Sequence, residues 1–294
     1  IMPSLVGSEM CIRDRNIWLV LVSLFFYAWG EPRLVLLMLL SIVMNYIFGL
    51  WIDRRRGDTV KEKGIIVLML FYNLSLLFVF KYMNFVCGIL GLELSGWNIT
   101  LPIGISFYTF QAISYVIDVY RGQGEVQKNP LNVALYIAFF PQLIAGPIVR
   151  YQTIADQIEH RKESWSDFSD GVERFIIGLS KKLILANSFA PIADYAFGHI
   201  SELSGVSAWI GALCYTFQIY FDFSGYSDMA IGLGKMFGFQ FLENFRYPYL
   251  SVSVSEFWRR WHISLGSWFR DYVYIPLGGS RVKTKVRLIG NLFV

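Results

Sequence analysis

The sequence predicts an all-α fold, a polytopic transmembrane helical bundle, on three observations. Of 294 residues, 55% are hydrophobic and only 16% charged, and 25 glycines come on top of the apolar share. Soluble globular chains carry roughly a quarter charged residues, so lipid is the natural solvent for the excess. Apolar stretches near the roughly 20 residues needed to cross a bilayer recur along the chain, and basic residues gather at their ends. The net charge of +4 therefore points to a lipid bilayer and not to nucleic acid. The clearest basic segment is Asp53-Arg54-Arg55-Arg56-Gly57-Asp58-Thr59-Val60-Lys61-Glu62-Lys63, which reads as a cytoplasmic loop under the positive-inside rule.

Taken in order, residues 1–15 have neither the apolar core nor the cleavage pattern of a signal peptide. They read as a non-native, adapter-like segment, leaving 16–294 as one transmembrane domain. Two apolar runs, 17–29 and 34–51, flank Gly30-Glu31-Pro32-Arg33, the turn residues of a helical hairpin on the exterior side. Residues 65–90 are long enough to span with tilt, and Lys81 within them either snorkels or faces the protein interior. Further spans are expected at 101–120, 131–149, 178–197 and 206–223, with a shorter, re-entrant piece at 229–241. Residues 151–175 place Trp165, Phe168, Val172 and Phe175 at helical spacing among charges, as in one amphipathic helix at the membrane surface. Residues 286–294 begin another apolar run, which predicts a chain cut at its C-terminus inside a span. Cys11, Cys87 and Cys214 fit no metal or disulfide spacing, and Cys87 and Cys214 lie in apolar runs as small buried residues. No metal site is expected.

Polar residues inside apolar segments are costly and mark candidate sites. One cluster, Gln218 to Asp228, sets Asp222 and Asp228 around Gly225, read as a helix-interrupting glycine. Either this broken helix lines a cavity, or the two carboxylates pair with arginines of a neighbouring helix to hold the bundle. The second cluster is Ser253-Val254-Ser255-Glu256-Phe257-Trp258-Arg259-Arg260-Trp261-His262-Ile263-Ser264-Leu265. Ser253 with Glu256 fits a capping box, and Val252 with Phe257 a hydrophobic staple, so a helix should start here. On it Trp258, Trp261, His262 and Leu265 share a face, while Glu256 pairs with Arg260 and leaves Arg259 for an anionic ligand. His262 is then a general base or an oxyanion partner. The other reading is a Trp- and Arg-rich anchor at the membrane interface. His160 and His199 read as solvated. Pro141-Gln142-Leu143-Ile144-Ala145-Gly146-Pro147 is a kinked or unwound segment, or a loop ending a span.

The same residues carry a resemblance. Phe257 to Leu265, continued by Trp268-Phe269-Arg270-Asp271-Tyr272-Val273-Tyr274-Ile275-Pro276-Leu277-Gly278-Gly279, together with 101–111, 140–148, 220–228 and Asn244-Phe245-Arg246-Tyr247-Pro248-Tyr249, resembles the membrane-bound O-acyltransferase family in its bacterial branch. The likeness runs from residue 16 to 294 and is strongest to alginate O-acetyltransferase membrane subunits, then to D-alanyl-teichoic acid transfer proteins. It implies a thick ring of helices around a thin, tunnelled centre in the bacterial cytoplasmic (inner) membrane. The implied activity is transfer of an acyl group, usually acetyl, to hydroxyls of an extracytoplasmic polysaccharide such as alginate. The implied donor is acetyl-CoA or another acyl thioester, with no bound cofactor, and a periplasmic or extracytoplasmic partner acyltransferase is expected. His262 takes a supporting catalytic role by resemblance, and Trp258, Arg259, Arg260, Trp261, Asp222 and Asn244 are expected at the substrate. The family's principal histidine stands in a Trp-His-Gly context downstream of Pro-Leu-Gly-Gly, so it is expected beyond residue 294 and the fragment alone is expected to be inactive. Competing readings are a transporter or channel built on the same polar cavity, or a non-catalytic fragment.

Overall fold

In the computed structural model, which describes residues 8–91, 100–144, 146–281 and 289–290, every regular element among the described residues is helical. The chain groups into two compact units, residues 1–144 with 148–161 and 271–294, and residues 145–147 with 162–270.

In the first unit, α1 (Ser8–Gly30) and α2 (Val35–Arg54) are joined by the expected turn, where Glu31 N–H donates to Tyr27 O and Leu34 N–H to Glu31 O. Helix α1 begins at Ser8, so the segment set apart by sequence is partly continuous with it. Helix α3 (Thr59–Leu77) runs through a π turn, Phe78–Tyr82, into α4 (Met83–Ile89). Lys81 lies in that turn with its side chain exposed, so it does not face the protein interior. Helix α5 (Ile105–Arg121) is the core: α2, α3, α6 (Pro130–Ala138) and α8 (Tyr151–His160) pack around it, and residues 111–119 are all buried. Tyr115 of α5 fits against α2 because Gly49 has no side chain; a Cβ there would stand 2.7 Å from the Tyr115 hydroxyl. Asn45 and Asn73 exchange side-chain hydrogen bonds of 2.9 and 3.2 Å between α2 and α3. Such pairs average about 0.6 kcal/mol in membranes and mainly fix register.

The expected span at 131–149 is instead two short helices, α6 and α7 (Phe140–Leu143), divided at Phe139, whose ψ of 113° is not helical. Pro141 lacks an amide proton and is tolerated only in a first helical turn, so the helix must restart there. Of the segment 141–147 read as kinked, unwound or a loop, 141–143 are helical, and no regular structure is assigned at 146 and 147.

In the second unit, α9 (Trp165–Ser180), a π turn (Lys181–Ala186) and α10 (Asn187–Gly198) form one rod against α11 (Gly205–Met236). The single amphipathic helix expected at 151–175 is thus two helices, broken at 161–164, where Ser164 caps α9 by accepting from Asp167 N–H at 3.0 Å. Helix α11 runs unbroken through Gly225, which corrects two expectations: Gly225 does not interrupt it, and 229–236 continues it and is not re-entrant. The glycine serves close approach. A Cβ on Gly225 would lie 2.7 Å from Gly178 O, and one on Gly178 2.5 Å from Gly225 O; Gly171 and Gly232 repeat the reciprocal contact one heptad away. The order of these pairs makes α9 and α11 antiparallel.

Among the described residues, three helical segments are long and apolar enough to cross a membrane: Val35–Arg54, Thr59–Ile89 and Trp165–Gly198. The other expected spans differ for separate reasons. Helix α5 has 17 residues and reaches about 25 Å, short of the roughly 30 Å hydrocarbon layer. Helix α11 has the length but carries Gln218, Asp222, Asp228 and Lys235. Of the last expected run, 286–294, most lies outside the described residues. Cys87 and Cys214 are buried, as expected.

Candidate active site around His262

Helix α12 (Val254–Arg260) starts where the sequence placed it, with Ser253 Oγ accepting from Glu256 N–H at 3.2 Å. Glu256 accepts Val252 N–H at 3.1 Å and holds Arg260 at 2.5 Å, and these two donors depress its carboxyl below the usual range. The staple does not form, since Val252 is 93% exposed.

The expected continuous face of Trp258, Trp261, His262 and Leu265 does not exist. Helix α12 ends at Arg260, Trp261 is extended, and His262 takes left-handed backbone angles (φ 43°, ψ 54°) before α13 (Ile263–Phe269) begins. Residues 244–246 impose the break: Arg246 N–H donates to Arg260 O at 3.0 Å, and Ile263 N–H to Asn244 O at 2.9 Å. A left-handed non-glycine residue costs of order 1–3 kcal/mol and persists only where its surroundings over-determine it.

The side chains complete the arrangement. Asn244 is fully buried, and its Oδ1 lies 3.1 Å from His262 Nδ1, 3.1 Å from Ser264 N and 2.9 Å from Ser264 Oγ. The Phe223 ring meets the imidazole edge-on at 4.6 Å, and the Phe245 ring lies parallel to it at 6.4 Å. Burial pushes the His262 imidazole, which lies outside the three spans, down to about 4. The ring is therefore neutral at neutral pH and offers a lone pair.

The other predicted site residues divide. Asn244 joins His262. Trp261 stacks on Phe257 at 5.6 Å and meets Phe245 edge-on at 5.1 Å, forming the aromatic wall. Arg260 is engaged by Glu256, Arg259 is exposed, and Trp258 is 62% exposed with its ring 5.3 Å from Phe257. Asp222 pairs with Lys182. Asp228 accepts from Arg174 at 2.5 Å and Lys181 at 2.6 Å, and Arg174 also grips Glu243 at 2.6 Å. Both aspartates thus follow the bundle-holding reading, with lysines sharing the role given to arginine, and they line no interrupted helix. His160 and His199 are exposed, as expected.

Sequence reasoning passed over Ser264, two residues from His262, and the Arg174–Glu243 pair that anchors the residue before Asn244. It also passed over Asp118 in the first unit, a fully buried carboxylate on α5 that accepts from Tyr272 Oη at 2.6 Å. Beside Asp118 lies a cavity of about 630 Å3 lined by Arg121, Arg150, Gln152 and Tyr272, with Arg150 paired to Asp271 at 2.6 Å. A carboxylate inside the apolar run 101–120 was the signal for it.

These features define a multi-pass helical membrane protein with an oriented, neutral histidine among aromatic rings. The family model for membrane-bound O-acyltransferases matches residues 21–294, and the chain belongs to that family. It is 47% identical over 92% of its length to a protein of Azotobacter vinelandii named "Probable alginate O-acetylase AlgI", and 46% identical over 96% to the protein of the same name from Pseudomonas aeruginosa. It is 39% identical over 91% to the peptidoglycan O-acetyltransferase of Helicobacter pylori. The chain spans 56%, 55% and 56% of these three relatives, about half of each.

Proposed function

We propose that this chain is part of an O-acyltransferase that moves an acyl group, normally acetyl, from a thioester donor such as acetyl-CoA to hydroxyls of an extracytoplasmic polysaccharide, alginate foremost. The observation that carries the reading is the neutral, oriented His262 in a chain of this family. The acceptor hydroxyl attacks the thioester carbonyl; a C–O bond forms, the C–S bond breaks, and the hydroxyl proton leaves with the thiol. A group whose pKa lies near 4 is a weak general base at neutral pH. His262 therefore orients the hydroxyl through its lone pair, beside the rings of Trp261 and Phe245, and a stronger base removes the proton. None of the three histidines here stands before a glycine in a Trp-His-Gly context, so by resemblance that base comes from a further segment and the 294-residue chain alone is inactive. By resemblance to the family, the protein sits in the bacterial inner membrane and works with a periplasmic or extracytoplasmic partner acyltransferase. The transport reading loses its motive, because the helix interruption at Gly225 is absent.

The test is to express the whole protein in cells whose exopolysaccharide lacks ester-linked acetyl and to measure acetyl content. Wild type should restore it, and His262→Asn should lower the rate by about 10²-fold, the cost of a misplaced reacting group. Restoration by His262→Asn at the wild-type rate, or none by wild type with its partner present, would reject the reading.

A further inference from the structure

We propose that Asn244 is a positioning residue that fixes the tautomer of His262, holding the proton on Nδ1 so that Nε2 alone presents a lone pair to substrate. This deepens the acyltransferase reading of the same site and takes His262 from it.

The Ser264 backbone N–H points at the Asn244 side chain at 3.1 Å, so the amide atom facing it must be the oxygen; the NH2 group there would set donor against donor. That oxygen also lies 3.1 Å from His262 Nδ1. A bare Nδ1 would oppose two lone pairs at hydrogen-bond distance, whereas a protonated Nδ1 donates. In a neutral imidazole the second nitrogen is then unprotonated. The backbone hydrogen bonds from Ile263 to Asn244 and from Arg246 to Arg260 keep the two segments in register. Glu243, next in the chain, is clamped by Arg174 at 2.6 and 3.1 Å, so Asn244 is fixed from both sides. Its Nδ2 is buried without a hydrogen-bond acceptor among the described residues, so the amide is held through its oxygen.

The experiment is nitrogen NMR of ring-labelled histidine in the whole protein in lipid nanodiscs, with the His262 signals assigned by their loss in His262→Asn. At pH 7.5 wild type should show a protonated Nδ1 and a bare Nε2. Asn244→Ala, at unchanged chromatographic behaviour, should show a mixture or Nε2–H. Asn244→Asp should keep Nδ1–H and raise the protonation midpoint of His262 by about one unit or more, since a carboxylate favours the imidazolium. A wild-type ring protonated at Nε2, or a folded Asn244→Ala with an unchanged tautomer ratio, would overturn the proposal. If Asn244→Ala does not fold, Asn244→Asp decides alone: an unmoved midpoint overturns it. Acetyl transfer by the same wild-type sample is scored separately, so its absence would sink the acyltransferase reading while leaving the tautomer result standing.

Discussion

At the scale of single residues, His262 makes the protonation state of the site readable as stability. Its folded-state pKa, about 4, is below the ordinary 6.5. Between those values the unfolded chain binds the proton that the folded chain refuses. Stability contributed through His262 is therefore intact above pH 6.5 and lost as pH falls toward 4, by at most about 1.4 kcal/mol per pH unit. Thermal unfolding in detergent at pH 7.5, 6 and 5 should show a decline that is smaller in His262→Asn. Asparagine is the chosen replacement because it tolerates the left-handed backbone that a β-branched residue would strain. Equal declines in the two proteins would mean that the imidazole is not shielded from the proton.

At the scale of elements, the antiparallel pair α9 and α11 depends on backbones touching through glycine. Gly178→Ala and Gly225→Ala each drive a methyl to within 2.5–2.7 Å of a carbonyl oxygen on the facing helix. Each should destabilise the protein by roughly 1–3 kcal/mol, the usual cost of overpacking. Gly64→Ala is the control: it sits inside α3 with nothing within 4 Å of its Cβ, so it should be neutral or stabilise by about 0.5–1 kcal/mol. Melting temperatures of the three variants check this; similar losses in all three would refute the packing account. The same helices show where sequence reading stops. Apolar runs and caps are local, so the hairpin at 30–33 and the Ser253 cap were legible, whereas the break at 161–164 before α9 was not. A glycine's purpose is not local: the heptad spacing of Gly171 and Gly178 has meaning only beside Gly225 and Gly232, and an isolated Gly225 reads as a break. The bend at His262 was hidden for a similar reason. No proline or glycine marks it, because hydrogen bonds from 244–246, some eighteen residues away in sequence, impose it.

At the scale of the whole molecule, the charges at the ends of α2 predict a membrane orientation that can be measured. This helix has 20 residues, from Val35 to Arg54, and at 1.5 Å per residue it spans about 30 Å, the thickness of the hydrocarbon layer. Its N-terminal side is the short turn at 30–33, while its C-terminal side opens into Arg54, Arg55 and Arg56 and then Lys61 and Lys63. The positive-inside rule puts the second side in the cytoplasm and the turn outside. Two exposed residues report on this without changing any charge. Val60, 80% exposed, lies within the basic segment, and Pro32 is exposed within the turn. In a Cys11→Ser background, where Cys87 and Cys214 are buried, Val60→Cys should react with a membrane-impermeant maleimide only in inverted vesicles. Pro32→Cys should react only in intact spheroplasts. The reverse pattern would invert the protein and place the donor and acceptor sides opposite to the proposed chemistry. Labelling of both from one side would mean that α2 does not cross, because a helix of this length cannot return both ends to one face of the bilayer.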